Sequence, residues 1–320
     1  MFYCTDDTRD FLPQRSDYML KHWDHIEQVS EKEFNLFHSS KSIIQSKIDI
    51  PPNTAVYVAC GDKRLEGIYD PRVKGIRPLI SSKKTPNRDL RLYMDSLNNP
   101  DITILAVDGL MGTGKTSTAV EWVIKDQSLS TKRNIPAITG DVHVPHKIVI
   151  AKPHVNAGGE SYGHLPGDIN EKLDPTISNF TQYFDRNTII GFKGLRDAGF
   201  VEILPLGFIR GMDAENMTII ADECQNTKEL ISLVTRRANN SRLILLGDTS
   251  PFQIDKPGNT PDKNGLSNII DLLSGAPYFQ YIEMKSVEHI VRSEEVRDVV
   301  RRLYKKYGYD PKQWSPILRG

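Results

Sequence analysis

Eight residues, Gly109-Leu110-Met111-Gly112-Thr113-Gly114-Lys115-Thr116, constrain this chain more than any others. They stand between an apolar run, Ile102 to Val107, and a helix-forming stretch that opens with Ser117-Thr118-Ala119. Strand, glycine-rich loop and helix is the context a phosphate cradle requires. Lacking a Cβ, Gly109, Gly112 and Gly114 let the backbone bend so that successive N–H groups from Met111 through Thr113 to Ser117 converge on a polyphosphate. The following helix turns its positive end to the same point. Lys115 then reaches the β- and γ-phosphates, and the Thr116 hydroxyl ligates Mg²⁺. The motif predicts a nucleoside triphosphate ligand, without specifying a reaction.

Composition narrows the setting. With 320 residues the chain can bury one large core, or one core and a small appendage. Lys plus Arg and Asp plus Glu each number 41, so no global field advertises nucleic acid or membrane, although a local basic groove is still allowed. Cys4, Cys60 and Cys224 are far apart and lack metal-ligand spacing, as reduced intracellular thiols would be. No apolar run approaches the ~20 residues of a membrane span, and Asp6, Asp7 and Asp10 stand where a signal peptide would be basic and then apolar. The expectation is a cytoplasmic protein with no membrane partner.

The chain reads as two regions. Residues 1–80 form an N-terminal accessory region: it is charged and weakly helical from Asp17 to Phe37, with one small hairpin, Thr54 to Cys60 and Leu65 to Tyr69, turning at Gly61-Asp62. Two short strands cannot carry a metal-dependent nuclease sheet, so a solvated segment is expected there. Across residues 81–320 strands alternate with helices. Apolar runs at Lys147 to Ala151, Val201 to Leu204, Met217 to Ala221, Leu243 to Leu246 and Phe279 to Met284 are separated by helix patterns such as Asp89 to Leu97, Ile169 to Phe184, Lys228 to Arg237, Leu266 to Leu273 and Glu294 to Tyr307. Continuous apolar strands are buried on both faces, which predicts an α/β fold, a mostly parallel sheet flanked by helices; with the P-loop at one strand end it resembles a RecA-like P-loop NTPase.

Other candidate residues follow from strand ends. The run Met217 to Ala221 ends in Asp222-Glu223, and the carboxyl end of a neighbouring parallel strand opens onto the same crevice as the P-loop. There Asp222 would hold Mg²⁺ through water and Glu223 would deprotonate the attacking water, whereas in isolation the pair would read as solvated acids. Leu243 to Asp248 repeats the device, with Gln253 following as a neutral amide that can report the γ-phosphate. Arg210 and Arg292, each between an apolar run and a small residue, are candidates for stabilising the leaving phosphates, one in cis and the other across a subunit boundary.

Together these residues resemble the PhoH-like family of P-loop ATPases, whose core is similar to the first motor domain of superfamily 1 helicases. The resemblance runs from about residue 80 to 305. It is carried by the P-loop, Lys152 to Glu160, the run Leu165 to Pro175, Pro205 to Gly211, Asp222-Glu223-Cys224-Gln225-Asn226, Gly247-Asp248 and Gln253-Ile254-Asp255. The chain departs from the family pattern in having Lys152 in place of Arg, Cys224 in place of Ala, no second Arg near Met212, and more residues between Asp248 and Gln253. The resemblance implies ATP with Mg²⁺, with Asn87 on the adenine side unless it is only a helix cap. It also implies a nucleic-acid partner, RNA or single-stranded DNA, and a homo-oligomer resembling a hexameric ring, since one motor domain leaves the site open on one side. An ATP-controlled switch acting on a protein, and a small-acceptor kinase, are the alternatives.

Overall fold

A computed structural model describes residues 22–39, 42–47, 49–79, 87–126, 146–153, 177–211, 213–228, 230–237 and 240–308. These fall into two compact units, 22–79 and 87–308. The sequence expectations at 127–145 and 154–176, including the run Leu165 to Pro175, lie outside the described residues.

The first unit has its own core, which corrects the expectation of a solvated segment. Its strands β1 (Ile26–Gln28), β2 (Ala55–Cys60), β3 (Lys63–Asp70) and β4 (Gly75–Pro78) pair in chain order, β1 parallel to β2 and the rest antiparallel. Helix α1 (Glu31–His38) starts at Ser30, whose hydroxyl accepts from Glu33 N while the Glu33 carboxylate accepts from Ser30 N, a reciprocal cap. Its Phe34 and Phe37 are buried in a cluster with Ile44, Ile50, Val56, Val58 and Ile76. Gly67 permits the close approach: a Cβ there would meet Ile76 Cγ2 at 2.6 Å and the Phe37 ring at 2.9 Å. Only Val56 and Val58 belong to an apolar run, Ala55 to Cys60; Phe34, Phe37, Ile44, Ile50 and Ile76 come from polar sequence on either side of it, so the run announces a strand but not what covers it.

The second unit is the predicted α/β fold. Six strands, β5 (Ile104–Gly109), β6 (Lys147–Lys152), β7 (Val201–Pro205), β8 (Met217–Ala221), β9 (Arg242–Gly247) and β10 (Phe279–Met284), form one sheet in the order β10-β5-β9-β8-β6-β7, every pairing parallel. All residues of β5 and β8 are buried, as strands covered on both faces must be. Among the described residues the unit's helices are α2 (Arg88–Asn98), α3 (Lys115–Asp126), α4 (Ser178–Asn187), α5 (Gly191–Asp197), α6 (Leu230–Val234), α7 (Gly265–Leu273) and α8 (Glu294–Tyr307). Helix α8 spans the predicted residues: Glu294 and Glu295 lie in its first turn, Lys305 and Lys306 in its last, and Gly308 at φ 58° closes it.

The strand order corrects one expectation. β8, which ends at Asp222-Glu223, is not the neighbour of the P-loop strand β5; β9 lies between them and pairs with both. All three strands point the same way, so their carboxyl ends still share one edge of the sheet. At the opposite edge Arg242, the first residue of β9, reaches under α2 and donates to the carbonyls of Leu97 (2.6 Å), Ser96 (2.6 Å) and Asn99 (3.0 Å) while stacking over Trp122 at 4.8 Å. One guanidinium thus supplies donors to carbonyls at the end of α2, two of which also accept from backbone amides, and seats α3 beside it.

Candidate active site

The phosphate cradle grows out of β5. After Gly109 the chain turns at Gly112 (φ 78°) and Gly114 (φ 89°), conformations that a side chain would strain, and enters α3 at Lys115. Thr113 is buried and donates its hydroxyl to Leu110 O at 2.8 Å, holding the turn closed, while Ser117 Oγ donates to Gly114 O at 3.1 Å. Lys115 Nζ donates to the carbonyls of Gly109 and Leu110, so the ammonium already lies over the loop. The Tyr93 hydroxyl donates to Lys115 O at 3.1 Å and ties α2 to the same helix start. Thr116 is half-buried in the first turn of α3, and Met111 packs beside the buried residues Leu110, Ile290 and Val300.

The acids form a second group. Asp222 is buried, with Lys152 Nζ 3.5 Å from its Oδ2. The Lys152 ammonium also lies 5.8 Å from the Phe180 ring, so this lysine faces the acid strand and not an outer groove. Glu223 has left-handed backbone angles (φ 56°, ψ 36°), which cost a residue with a Cβ about 1–2 kcal/mol. The short 3-10 turn Cys224–Asn226 compensates, Asn226 N donating to Glu223 O at 2.9 Å. The Glu223 side chain is exposed, yet desolvation by its surroundings, and then the Asp222 carboxylate, push its carboxyl above the ordinary glutamate value; Gln225, Lys152 and Lys115 pull it back. Because β5 and β8 run parallel on either side of β9, the P-loop lysine and the strained glutamate follow strand ends that share one edge of the sheet.

Two residues to which sequence reasoning gave no role connect this acid to the loop that carries Gln253. Gln225 Nε2 donates to Glu223 Oε2 at 2.6 Å and to Gln253 O at 3.1 Å, while its Oε1 accepts from Asp248 N at 3.1 Å. Asn226 Oδ1 accepts from Asp255 N at 2.8 Å. The polar run Cys224-Gln225-Asn226 straight after an acid-tipped apolar strand is the sequence signal for such a clamp. Gln253 itself ends the 3-10 turn Pro251–Gln253; its carbonyl is clamped, and among the described residues its side-chain amide has no hydrogen-bond partner.

The remaining candidates separate. Arg292 is exposed and its side chain lies over the P-loop of its own chain: a Cβ on Gly112 would meet its Cδ at 2.9 Å, and Val291 N donates to Gly112 O at 2.9 Å. Of the two arginines left open between a cis and a cross-boundary position, Arg292 is the one that lies against the P-loop of its own chain. Arg210 lies in the 3-10 helix Leu206–Gly211, and its side chain is outside the described atoms. Asn87 is the cap of α2, its Oδ1 accepting from Asp89 N at 2.8 Å, but its Nδ2 is buried and has no partner among the described residues, so a donor remains beyond what capping uses.

A glycine cradle with its lysine, a hydroxyl at the helix start and a buried carboxylate on a nearby strand end fit a nucleotide with a hard cation. The sequence profile of the PhoH-like proteins matches residues 82–305. This chain belongs to the PhoH-like family. Within that family it is 31% identical over 236 residues to a PhoH-like protein of Mycobacterium tuberculosis, covering 73% of this chain and 59% of the relative. It is 29% identical over 276 residues to a PhoH-like protein of Bacillus subtilis, covering 83% and 79%, and 30% identical over 215 residues to Protein PhoH2 of the same organism, covering 65% and 44%. The PhoH-like chain thus spans about three-fifths of the length of its mycobacterial relatives. Among solved structures the Legionella pneumophila ATPase DotB aligns with a TM-score of 0.25 at 13% identity, over 85% of this chain and 68% of that one, too distant to carry an argument. No helix among the described residues of the PhoH-like chain is long and apolar enough to cross a membrane.

Proposed function

We propose that residues 81–320 of this PhoH-like protein are a Mg²⁺-dependent ATPase, with residues 1–80 an accessory module. The observation that carries the reading is the convergence of Lys115 and Glu223, one offering charge at the end of β5 and the other a raised, strained carboxylate at the end of β8. Lys115 leaves its two loop carbonyls for the β- and γ-phosphates, and the amides from Met111 to Ser117 bind their oxygens. Thr116 and Asp222 would hold the magnesium ion, which supplies charge neutralisation between the phosphates when bound. Glu223 takes the proton of the attacking water, a task that its raised affinity for a proton suits. Arg292, over Gly112, faces charge developing at the phosphates, and Gln253 reports on it. Asn87 Nδ2 is the donor available to the adenine edge.

The finer reading is that turnover is coupled to RNA or single-stranded DNA in a homo-oligomer. Its support is the likeness of the motif series to the first motor domain of superfamily 1 helicases, together with a site served by only one such domain. ATP turnover measured with and without single-stranded RNA and DNA, at low and moderate salt, tests both levels. Stimulation supports a motor; a slow, unchanged rate would replace it with a nucleotide-controlled switch, which the clamp from Glu223 through Gln225 to Gln253 also suits. Phosphate transfer only in the presence of a small acceptor would make it a kinase.

A further inference from the structure

Directly beneath the P-loop lies a buried charge cluster that the mechanism above does not use. Asp108, the residue before Gly109, is fully buried, and Lys285, the residue after β10, is 4% exposed. The Lys285 ammonium is 2.6 Å from Asp108 Oδ1 and 3.6 Å from Asp248 Oδ1, and it donates to Thr249 Oγ1 at 2.9 Å. Thr249 in turn donates its amide to Asp108 Oδ1 at 2.9 Å and its hydroxyl to Asp108 Oδ2 at 2.6 Å. Asp248 Oδ1 accepts from both the amide (3.0 Å) and the hydroxyl (2.6 Å) of Ser250, while its Oδ2 is buried without a partner among the described residues.

Such an arrangement is costly to bury, because two carboxylates share one ammonium and apolar side chains of the same volume would serve packing at least as well. What it supplies is geometry. The ends of β5, β9 and β10 are fastened at one point, between the carbonyl of Gly109, which accepts from Lys115, and the first residues of the loop whose Gln253 carbonyl is clamped to Gln225 and hence to Glu223. Lys285 also presents its carbonyl to the Tyr304 hydroxyl at 3.0 Å, and Phe252 packs on the Tyr304 ring at 5.8 Å, so α8 braces the same point.

We propose that Lys285 is a positioning residue for the sensor loop: by bridging Asp108 and Asp248 it sets residues 248–255 against the P-loop, so that nucleotide bound in the cradle is felt at Gln253 and Glu223. Asp248 Oδ2 is left as the acceptor for a donor, water or amide, that arrives when the loop takes its nucleotide-bound position. The proposal rests on the ATPase reading and concerns residues to which that reading gives no role.

The test uses the full chain with MgATP for turnover and MgAMP-PNP for binding, in Lys285→Met, Lys285→Arg, the paired Asp108→Asn/Lys285→Met and the milder Thr249→Val. The paired change removes both charges of the closest contact and guards against a simple failure to fold. Variants that fold should bind AMP-PNP within about threefold of wild type, since binding common to ground and transition states is untouched. Their kcat should fall roughly 10- to 100-fold, the scale of a small misplacement of catalytic groups. Lys285→Arg should keep more turnover than Lys285→Met, and AMP-PNP should cease to slow hydrogen exchange at 248–255 in Lys285→Met and the paired variant. Wild-type kcat in folded Thr249→Val or in the paired variant overturns the proposal. If the wild-type protein does not hydrolyse ATP, the ATPase reading fails by itself, and the exchange measurement still decides the positioning role: protection at 248–255 that is absent from wild type, or retained in the variants, refutes it.

Discussion

Arg292 and Gly112 belong to one chain and touch one another. The glycine's missing Cβ is the space that the arginine's Cδ occupies, a Cβ there coming within 2.9 Å of it, and the adjacent Val291 amide fixes the contact by donating to Gly112 O. Gly112→Ala therefore meets two obstacles, a φ of 78° and the arginine side chain. It should weaken binding of a fluorescent ATP analogue and abolish measurable turnover. Unchanged affinity would show that the loop does not form the cradle.

A cis position for Arg292 makes mixing experiments informative. Arg292→Ala should lower kcat about 10²–10³-fold, as removal of a single donor to developing charge does. Mixed with inactive Lys115→Ala subunits, it should not recover activity, because no subunit regains both groups. Arg210→Ala is the contrasting partner: recovery in verified mixed oligomers would place that arginine across an interface.

Lys115→Ala and Glu223→Gln should fail differently. The first removes the positive charge at the β/γ-phosphates and abolishes hydrolysis; the second keeps MgATP bound, because an amide preserves shape but cannot take a proton. Equal loss of ATP binding in both, measured by isothermal titration, would make Glu223 structural.

The raised Glu223 carboxyl sets a pH dependence. Below its folded-state pKa the group is protonated and cannot act as a base, so the acidic limb of kcat should lie above the ordinary glutamate value of 4.5. Lys152→Met removes a charge that holds the carboxyl down, and the limb should move to higher pH. Stability has the opposite sign. A raised carboxyl contributes stability that is full below 4.5 and lost as pH rises through the raised value, so Glu223→Gln should melt no lower than wild type at pH 8, with the two converging toward pH 4. A clearly lower melting temperature at pH 8 contradicts this.

Arg242 makes a stability prediction remote from the chemistry. Arg242→Ala takes from the Leu97 carbonyl its guanidinium donor, leaves the Ser96 and Asn99 carbonyls with one backbone donor each, and removes the stack on Trp122, at a cost of about 1–3 kcal/mol. Urea unfolding should show a lower midpoint with unchanged affinity for nucleotide, and an unaltered midpoint would show that water satisfies those carbonyls.

The cradle was legible because its chemistry is local. Gly109, Gly112, Gly114 and Lys115 must be contiguous for backbone amides to surround a phosphate, and the fully buried strands β5 and β8 had to be written as unbroken apolar runs. Helix α8 was legible for the same reason, its apolar stripe and its charged ends lying within fourteen residues. The N-terminal core was not, since Phe37, Ile44, Val56 and Ile76 meet only after the chain has folded back several times. Nor was the order of strands. Apolar runs state that β5, β8 and β9 are buried in a sheet but not which of them are neighbours, and β9, later in the chain, inserts between the other two. The contacts that join the site lie across those strands: Asp108 to Thr249 spans 141 residues and Gln225 to Gln253 spans 28. In sequence Asp108 is one polar residue at the end of an apolar run and Lys285 one more lysine. Only the tertiary structure, by removing both from water and placing them 2.6 Å apart, turns two ordinary charges into a pair that the fold must satisfy.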